Sequence, residues 1–293
     1  MNNLNYIRFK KQRDLGQILS DTIKFFRQEG LTLVSIILKV SVIPILMVMV
    51  AGVYYVYISA KSQSNTYDSY GGFELDQFDI AGVMLALALL FVAYIVAYGL
   101  VSTTTLGYID SYEENRGEVN FSEVSKIIKT RFASYIGLSI LSAIVMGVGL
   151  MLCIIPFFYF WPILALAPCI MIFQRKGAFD AFGDSFGYFK NHFWNIFGCI
   201  LVIFILIFFI SFIVNLPMTF YTNGSLNIFS TEATIDIDKM VTDPIYLILT
   251  IISYSIAFFF HIITMIAYSF IFFDIEEQEH PSTSDVIDEI GVE

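Results

Sequence analysis

A chain of 293 residues that is 57% apolar, 17% aromatic and only 14% charged carries more apolar surface than one water-soluble core can hide; soluble domains run at about 25% charged. The net charge of −10 is segregated, with acids in some loops and the tail and bases in others. No stretch forms a basic patch for nucleic acid. The composition therefore points to an integral membrane protein.

Residues 1–30 are polar and carry Arg8, Lys10, Lys11, Arg13, Lys24 and Arg27. No short apolar core precedes a small-residue cleavage site, so the first span is expected to serve as the insertion signal. Within this segment Leu15, Ile18, Leu19, Ile23 and Phe26 recur at helical spacing and predict an amphipathic helix over about 15–28. Asp14, with Gln17 three residues later, suits a capping box. The first span follows at about 36–60, the second at about 80–106. A second amphipathic helix is predicted over about 121–130, with Phe121, Val124, Ile127 and Ile128 on one side and Asn120 and Glu123 as caps. Spans three and four fall at about 133–154 and 157–174. A third amphipathic helix over about 178–189 has the stripe Phe179, Phe182, Phe186 and Phe189. Spans five and six fall at about 194–216 and 245–273. Each span has the roughly 20 residues a helix needs to cross the hydrocarbon layer.

Orientation follows from the bases. Thirteen of the sixteen Lys and Arg lie in the N-terminal segment, the loop between spans two and three (Arg116, Lys126, Lys129, Arg131) and the loop between spans four and five (Arg175, Lys176, Lys190). The opposite side has Lys61 and Lys239, and Lys39 lies near the start of span one. Both termini are thus expected in the cytoplasm of a bacterial cell, with an inner-membrane location. The outer loops, 61–79 and 217–244, are polar and carry Asp68, Glu74, Asp76, Asp79, Glu232, Asp236, Asp238 and Asp243. Asn223-Gly224-Ser225 matches a glycosylation acceptor, a short pattern that is given no weight for a chain expected to be bacterial.

The amphipathic helix, outward span and return span recur three times. The stretches IKFFRQEGLTLVSIIL, IIKTRFASYIGLSIL and FGYFKNHFWNIFGCIL enter spans one, three and five with similar wording. The expected architecture is all-α, with six transmembrane helices, three amphipathic interfacial helices and a pseudo-threefold repeat. Residues 1–276 form one polytopic domain (units about 14–109, 120–174 and 178–275), followed by an acidic cytoplasmic tail, 277–293. The amphipathic helices are expected to lay their apolar faces in lipid and keep their bases in water.

Within the third unit stand Pro168, Ala178-Phe179-Asp180-Ala181-Phe182, Ser185-Phe186 and Asn191-His192-Phe193-Trp194. This stretch resembles the bacterial membrane-domain family found alone or fused to glycerophosphoryl diester phosphodiesterase catalytic domains. Gln174 stands where that family usually has an acid. No soluble segment is long enough to hold the catalytic domain. The resemblance implies a membrane-only protein without an assigned biochemical activity.

Candidate sites are few. Gly183-Asp184-Ser185-Phe186-Gly187 matches the nucleophile elbow, but it lies in a predicted helix with no preceding strand, with His192 too close and His261 in a span. Asp180 and Asp184, four apart, share a helix face and read as a solvated polar face rather than a cation site. Lys39 is read as snorkelling to the cytoplasmic surface, and His261 as a neutral histidine hydrogen-bonded within the bundle. Cys153, Cys169 and Cys199 read as buried apolar residues. Pro44, Pro162 and Pro168 can kink their spans, and Gly147 and Gly149 permit close helix approach. Tyr54, Tyr55, Tyr57 and Trp194 fit interfacial belts. Metal, cofactor and catalytic residues are each expected to be none, since no H-E-x-x-H, P-loop, dinucleotide fingerprint or Cys/His cluster is present. The expected partners are the lipid bilayer and a membrane protein. The function read from the sequence is a non-enzymatic accessory or membrane-organising role, with a transporter or lipid-handling carrier as the alternative.

Overall fold

The computed structural model describes residues 6–68, 77–152, 154–225 and 243–281. Residues 1–5, Cys153, residues 69–76 and 226–242 of the outer loops and the tail beyond 281 lie outside the described residues. Six helices follow one another without a strand among the described residues: α1 (Leu15–Asp68), α2 (Gln77–Glu114), α3 (Phe121–Leu152), α4 (Ile154–Phe173), α5 (Ala178–Ser225) and α6 (Pro244–Glu279). Each contains a segment long and apolar enough to cross a membrane. The chain is an all-α, multi-pass membrane protein.

The long helices explain where the amphipathic segments go. α1 has 54 residues, which at 1.5 Å per residue is about 80 Å, far more than the roughly 30 Å of hydrocarbon. Its amphipathic start is continuous with its span, and Pro44 lies inside it without ending it. α3 is likewise unbroken. Only α5 is interrupted, at His192 (φ −121°, ψ 19°), where the stripe 178–189 hands over to the span. The order of long helix and return span recurs three times along the chain.

The caps follow from local chemistry. The Gln17 amide donates to the Asp14 carboxylate at 2.7 Å and the Asp14 amide to the Gln17 side chain at 3.4 Å, so two orphan donors are satisfied reciprocally. Asn120 accepts from the Ser122 amide at 3.0 Å and starts α3. α2 closes through Arg116 (φ 50°) and Gly117 (φ 100°), whose amide returns to the Tyr112 carbonyl at 2.9 Å. Past the expected boundary at 276, α6 runs on to Glu279, because Ile275 and Glu277 are buried and hold its last turns against protein.

By contacts the chain falls into two compact units. The first comprises the described residues of Met1–Val40, Gly99–Ile205 and His261–Glu293; the second comprises those of Ser41–Tyr98 and Leu206–Phe260. In the second unit large apolar side chains such as Met47, Val50, Phe91, Phe209 and Ile248 are exposed, as lipid-facing helices require. Tyr94 stacks on Tyr98 at 4.0 Å there, and Tyr221 donates to Asp243. The first unit holds the core. Its α3 and α4 pack as a hairpin, and Gly149 comes so close that an added Cβ would lie 3.4 Å from the Phe157 amide nitrogen.

One expectation is corrected in this unit. The faces turned toward protein are offset from the predicted stripes, which are buried only in part. α1 buries Ile18, Thr22 and Phe25, α3 buries Val124 and Ile128, and α5 buries Ala181, Ser185 and Phe189. Ile23, Phe121 and Phe179 of the predicted stripes are exposed instead. For α1 the reason is that Phe9 before it, Tyr108 and Tyr112 of α2 and Phe270 of α6 offer Phe25 close-packed ring contacts.

Candidate functional site

Residues 6–13 are not helical, yet Ile7, Phe9 and Arg13 are 6%, 0% and 8% exposed. A buried non-helical segment must find partners for its backbone donors, and here α2 and α6 supply them. The Ile7 amide donates to the Tyr112 hydroxyl at 3.1 Å, the Phe9 amide to the Glu113 carboxylate at 3.1 Å and the Arg13 amide to Asp274 at 2.7 Å. The Tyr6 hydroxyl donates to the same Glu113 at 2.7 Å. Burial first, and the Glu113 carboxylate second, push the Tyr6 phenol well above its ordinary range, so it stays a neutral donor. The Phe9 ring stacks on Phe270 at 4.2 Å and meets Phe25 edge-on at 5.1 Å.

Arg13 closes this strap. Its Nε meets Asp21 at 2.8 Å, Nη1 donates to the Phe9 and Lys11 carbonyls at 2.6 and 3.0 Å, and Nη2 donates to the Arg8 carbonyl. The guanidinium carbon lies 4.8 Å from the centre of the Phe270 ring. Arginine suits this place because its rigid fork can serve a carboxylate and several carbonyls at once while stacking on an aromatic face. Gln12 donates to the Glu277 carbonyl at 3.3 Å. The segment before α1 and the end of α6 therefore lie on the same side.

Other helix ends in this unit are tied in the same manner. Tyr108 of α2 donates to Glu29 of α1 at 2.7 Å. Ser111 of α2 and Asn115, in the turn just after it, both donate to Glu123 of α3 at 2.8 Å. Arg131 of α3 donates to the carbonyls of Lys176 and Arg175 at 3.0 and 2.7 Å and thereby holds the turn after α4, where Arg175 has φ 56°. Arg175 pairs in turn with Glu114 of α2. These groups join elements and do not converge on a cavity.

The sites singled out by sequence can now be placed. Ser185 is 1% exposed, sits inside α5 and donates to the Phe182 carbonyl at 2.7 Å, a back-bond of an ordinary helix turn. Asp184 pairs with Lys176 at 2.6 Å, and the carboxylate raises the lysine. Among the described residues no group of three or more His, Cys, Asp or Glu is placed to hold a metal ion. Lys39 is exposed on α1. Cys169 and Cys199 are buried free thiols. α4 runs unbroken through Pro162 and Pro168. Gln174 donates to the Tyr188 hydroxyl, while its own carbonyl oxygen is buried without a partner.

His261 has its partner on α2: the Ser102 hydroxyl lies 2.8 Å from Nε2. Ser102 opens the fully buried run Ser102–Thr105, where Thr103 and Thr105 back-bond to Gly99 and Val101 and the Thr104 hydroxyl is unpaired. Hydrogen bonds between membrane helices average about 0.6 kcal/mol. Ser102→Ala is therefore expected to lower stability by less than about 2 kcal/mol, measured by unfolding of the detergent-solubilised protein. A larger loss would mean that the histidine depends on the serine for more than one hydrogen bond.

No family model, no curated protein and no solved structure matches this chain.

Sequence reasoning treated Arg8, Lys10, Lys11 and Arg13 alike, as bases that set orientation. It missed that Arg13 is internal, and it missed Tyr112, Glu113 and Asp274 as the acceptors that hold the segment before α1. A signal was present: Tyr6, Ile7 and Phe9 are apolar residues interleaved with bases in a segment too polar to span. Such residues need cover, and no lipid-facing helix surrounds them.

Proposed function

We propose that this is a non-enzymatic bacterial inner-membrane protein, with both termini cytoplasmic, that acts as an accessory or organiser of other membrane components. The observation that carries the reading is how the charged groups near the helix ends of the first unit, buried or half-buried, are used. Arg13, Asp21, Asp274, Glu113, Glu29 and Glu123 each join one chain element to another. A framework that spends its charges on rigidity suits a protein that presents surfaces to partners. The likeness of residues 168–198 to membrane domains found with or without a phosphodiesterase partner domain supports the same view. The resident partners are then the lipid bilayer and a membrane protein.

Cross-linking in the native membrane followed by mass spectrometry tests this. One reproducible protein partner supports it; recovery of a solute or lipid without any protein partner counts against it. Ser185→Ala and Asp184→Asn are expected to complement a deletion strain fully. The Lys176–Asp184 pair is substantially exposed, so its loss costs under about 1 kcal/mol. Loss of complementation with normal protein levels would point to an enzyme.

The second reading is a carrier. The observation favouring it is the buried hydroxyl run Ser102–Thr105 beside His261, with Thr104 unpaired. Single cysteines placed along α4 test it: uniform protection from water-soluble thiol reagents rejects a water-accessible path.

A further inference from the structure

The inward face of α1 carries Ile18, Thr22, Phe25 and Leu33, all buried. Its acids also turn inward: Asp21 is held by Arg13 and Glu29 by Tyr108. The opposite face is then left with one sign of charge. Ser20, Ile23, Lys24, Arg27, Gln28 and Leu31 are all exposed, and each has another of them three or four residues away, so they share one helix face. Five of them, Ser20 to Gln28, line a shallow depression. Every polar side chain in that depression can donate a hydrogen bond, and none is an acid.

The same face changes character along the helix axis. Beyond the depression Leu31 is 90% exposed and Leu38 46%, and Ser35, exposed between them, turns its hydroxyl back to the Thr32 carbonyl at 2.7 Å. At 1.5 Å per residue Leu31 lies about 10 Å beyond Lys24, and Leu38 about 21 Å beyond it. Donors come first and uncovered apolar side chains follow, over the distance that separates a phospholipid headgroup from its acyl chains. A free phosphate would satisfy Lys24 and Arg27 but leave Leu31 and Leu38 in contact with water. We infer that this face of α1 binds an anionic phospholipid, its phosphate held by Lys24 and Arg27 and its acyl chain lying along Leu31 and Leu38. The inference goes beyond the accessory role and does not depend on it, since a carrier could hold the same lipid.

The test uses the full-length protein, purified in detergent and stripped of lipid, with phosphatidylglycerol and phosphatidylcholine titrated in and bound lipid counted by native mass spectrometry. The expected result is selective retention of phosphatidylglycerol. A basic residue near a membrane surface contributes about 1 kcal/mol, so K24Q/R27Q is expected to bind phosphatidylglycerol about 30-fold more weakly. Leu31→Asn should weaken binding without altering charge. K126Q/K129Q, on α3, should bind like the unaltered protein. Equal affinity in K24Q/R27Q overturns the proposal. So does equal weakening in K126Q/K129Q, which would show attraction to charge in general, or full displacement by equimolar inorganic phosphate, which would show a soluble-anion site. All the variants change exposed side chains, and a thermal unfolding curve for each confirms the fold. A failed lipid titration leaves the cross-linking result standing, so the two readings fail separately.

Discussion

Arg13→Ala is expected to release residues 6–13 from the helices they join. The side chain is 2% exposed and paired with Asp21. Three carbonyl oxygens, those of Arg8, Phe9 and Lys11, accept from it as well. Removing one partner of a fully buried ion pair costs about 3–5 kcal/mol; here Asp21 is 29% exposed and regains some water, so the loss should lie toward or below the lower end of that range and come largely from the carbonyl acceptors left without a donor. Two readouts apply. Thermal unfolding in detergent reports the loss of stability. Trypsin reports local release, since Lys10 and Lys11 are exposed but cleavage there requires the strap to leave its site, so cutting should accelerate markedly. Arg13→Lys should fall between. It keeps a charge near Asp21, but an ammonium cannot reproduce the planar fork or the stacking on Phe270. Wild-type stability and wild-type trypsin resistance in Arg13→Ala would show that the strap is held by its other contacts.

Phe9→Ala tests those other contacts. The ring is fully buried. It is packed among Phe25, Tyr112, Phe270 and Phe273, with centroid distances from 4.2 to 6.1 Å. Truncating a buried phenylalanine to alanine costs about 3–5 kcal/mol, through lost transfer energy and the cavity left behind. The cost should be lower if the neighbouring rings close the gap, which Phe9→Leu would reveal by retaining most of the stability. The double variant Phe9→Ala/Arg13→Ala should lose less than the two single losses combined, because both undo the same docked segment. Strict additivity would mean that the ring and the guanidinium support separate parts of the fold.

Much of the architecture was legible because it depends on local properties. Span lengths follow from the thickness of hydrocarbon. The Asp14–Gln17 box and the Asn120 cap are visible because a helix start leaves donors that nearby side chains must satisfy. The break in α5 at His192 falls where the Phe stripe ends and the apolar run begins. The elbow-like motif at Ser185 could be discounted for a local reason too, since the chemistry requires a strand-to-helix turn that this stretch does not form.

The direction of the amphipathic faces was not legible. Helical spacing in Leu15, Ile18, Leu19, Ile23 and Phe26 states that an apolar face exists, not what covers it. Lipid and a cluster of aromatic rings both satisfy that pattern. The adjacent pair Phe25 and Phe26 shows the limit: the stripe chosen by period ran through Phe26, while Phe25 is the fully buried one. The partner of His261 was hidden for a similar reason, because Ser102 lies 159 residues away.

By itself, then, the sequence determined an all-α membrane protein with six spans, their approximate limits, the asymmetry of its bases and the caps of its helices. Each of these depends on residues within a few turns of one another, or on the fixed thickness of the bilayer. Tertiary structure alone decided that residues 6–13 are internal, that Arg13 serves as a tie while Lys24 and Arg27 face outward, and that α1 turns Ile18 and Phe25 toward protein. Ile7 and Tyr112 stand 105 residues apart, and Arg13 and Asp274 stand 261 apart. Pairings at that separation depend on which surfaces are close enough, and shaped well enough, to exclude water and satisfy every buried donor, and no local pattern in the chain carries that information.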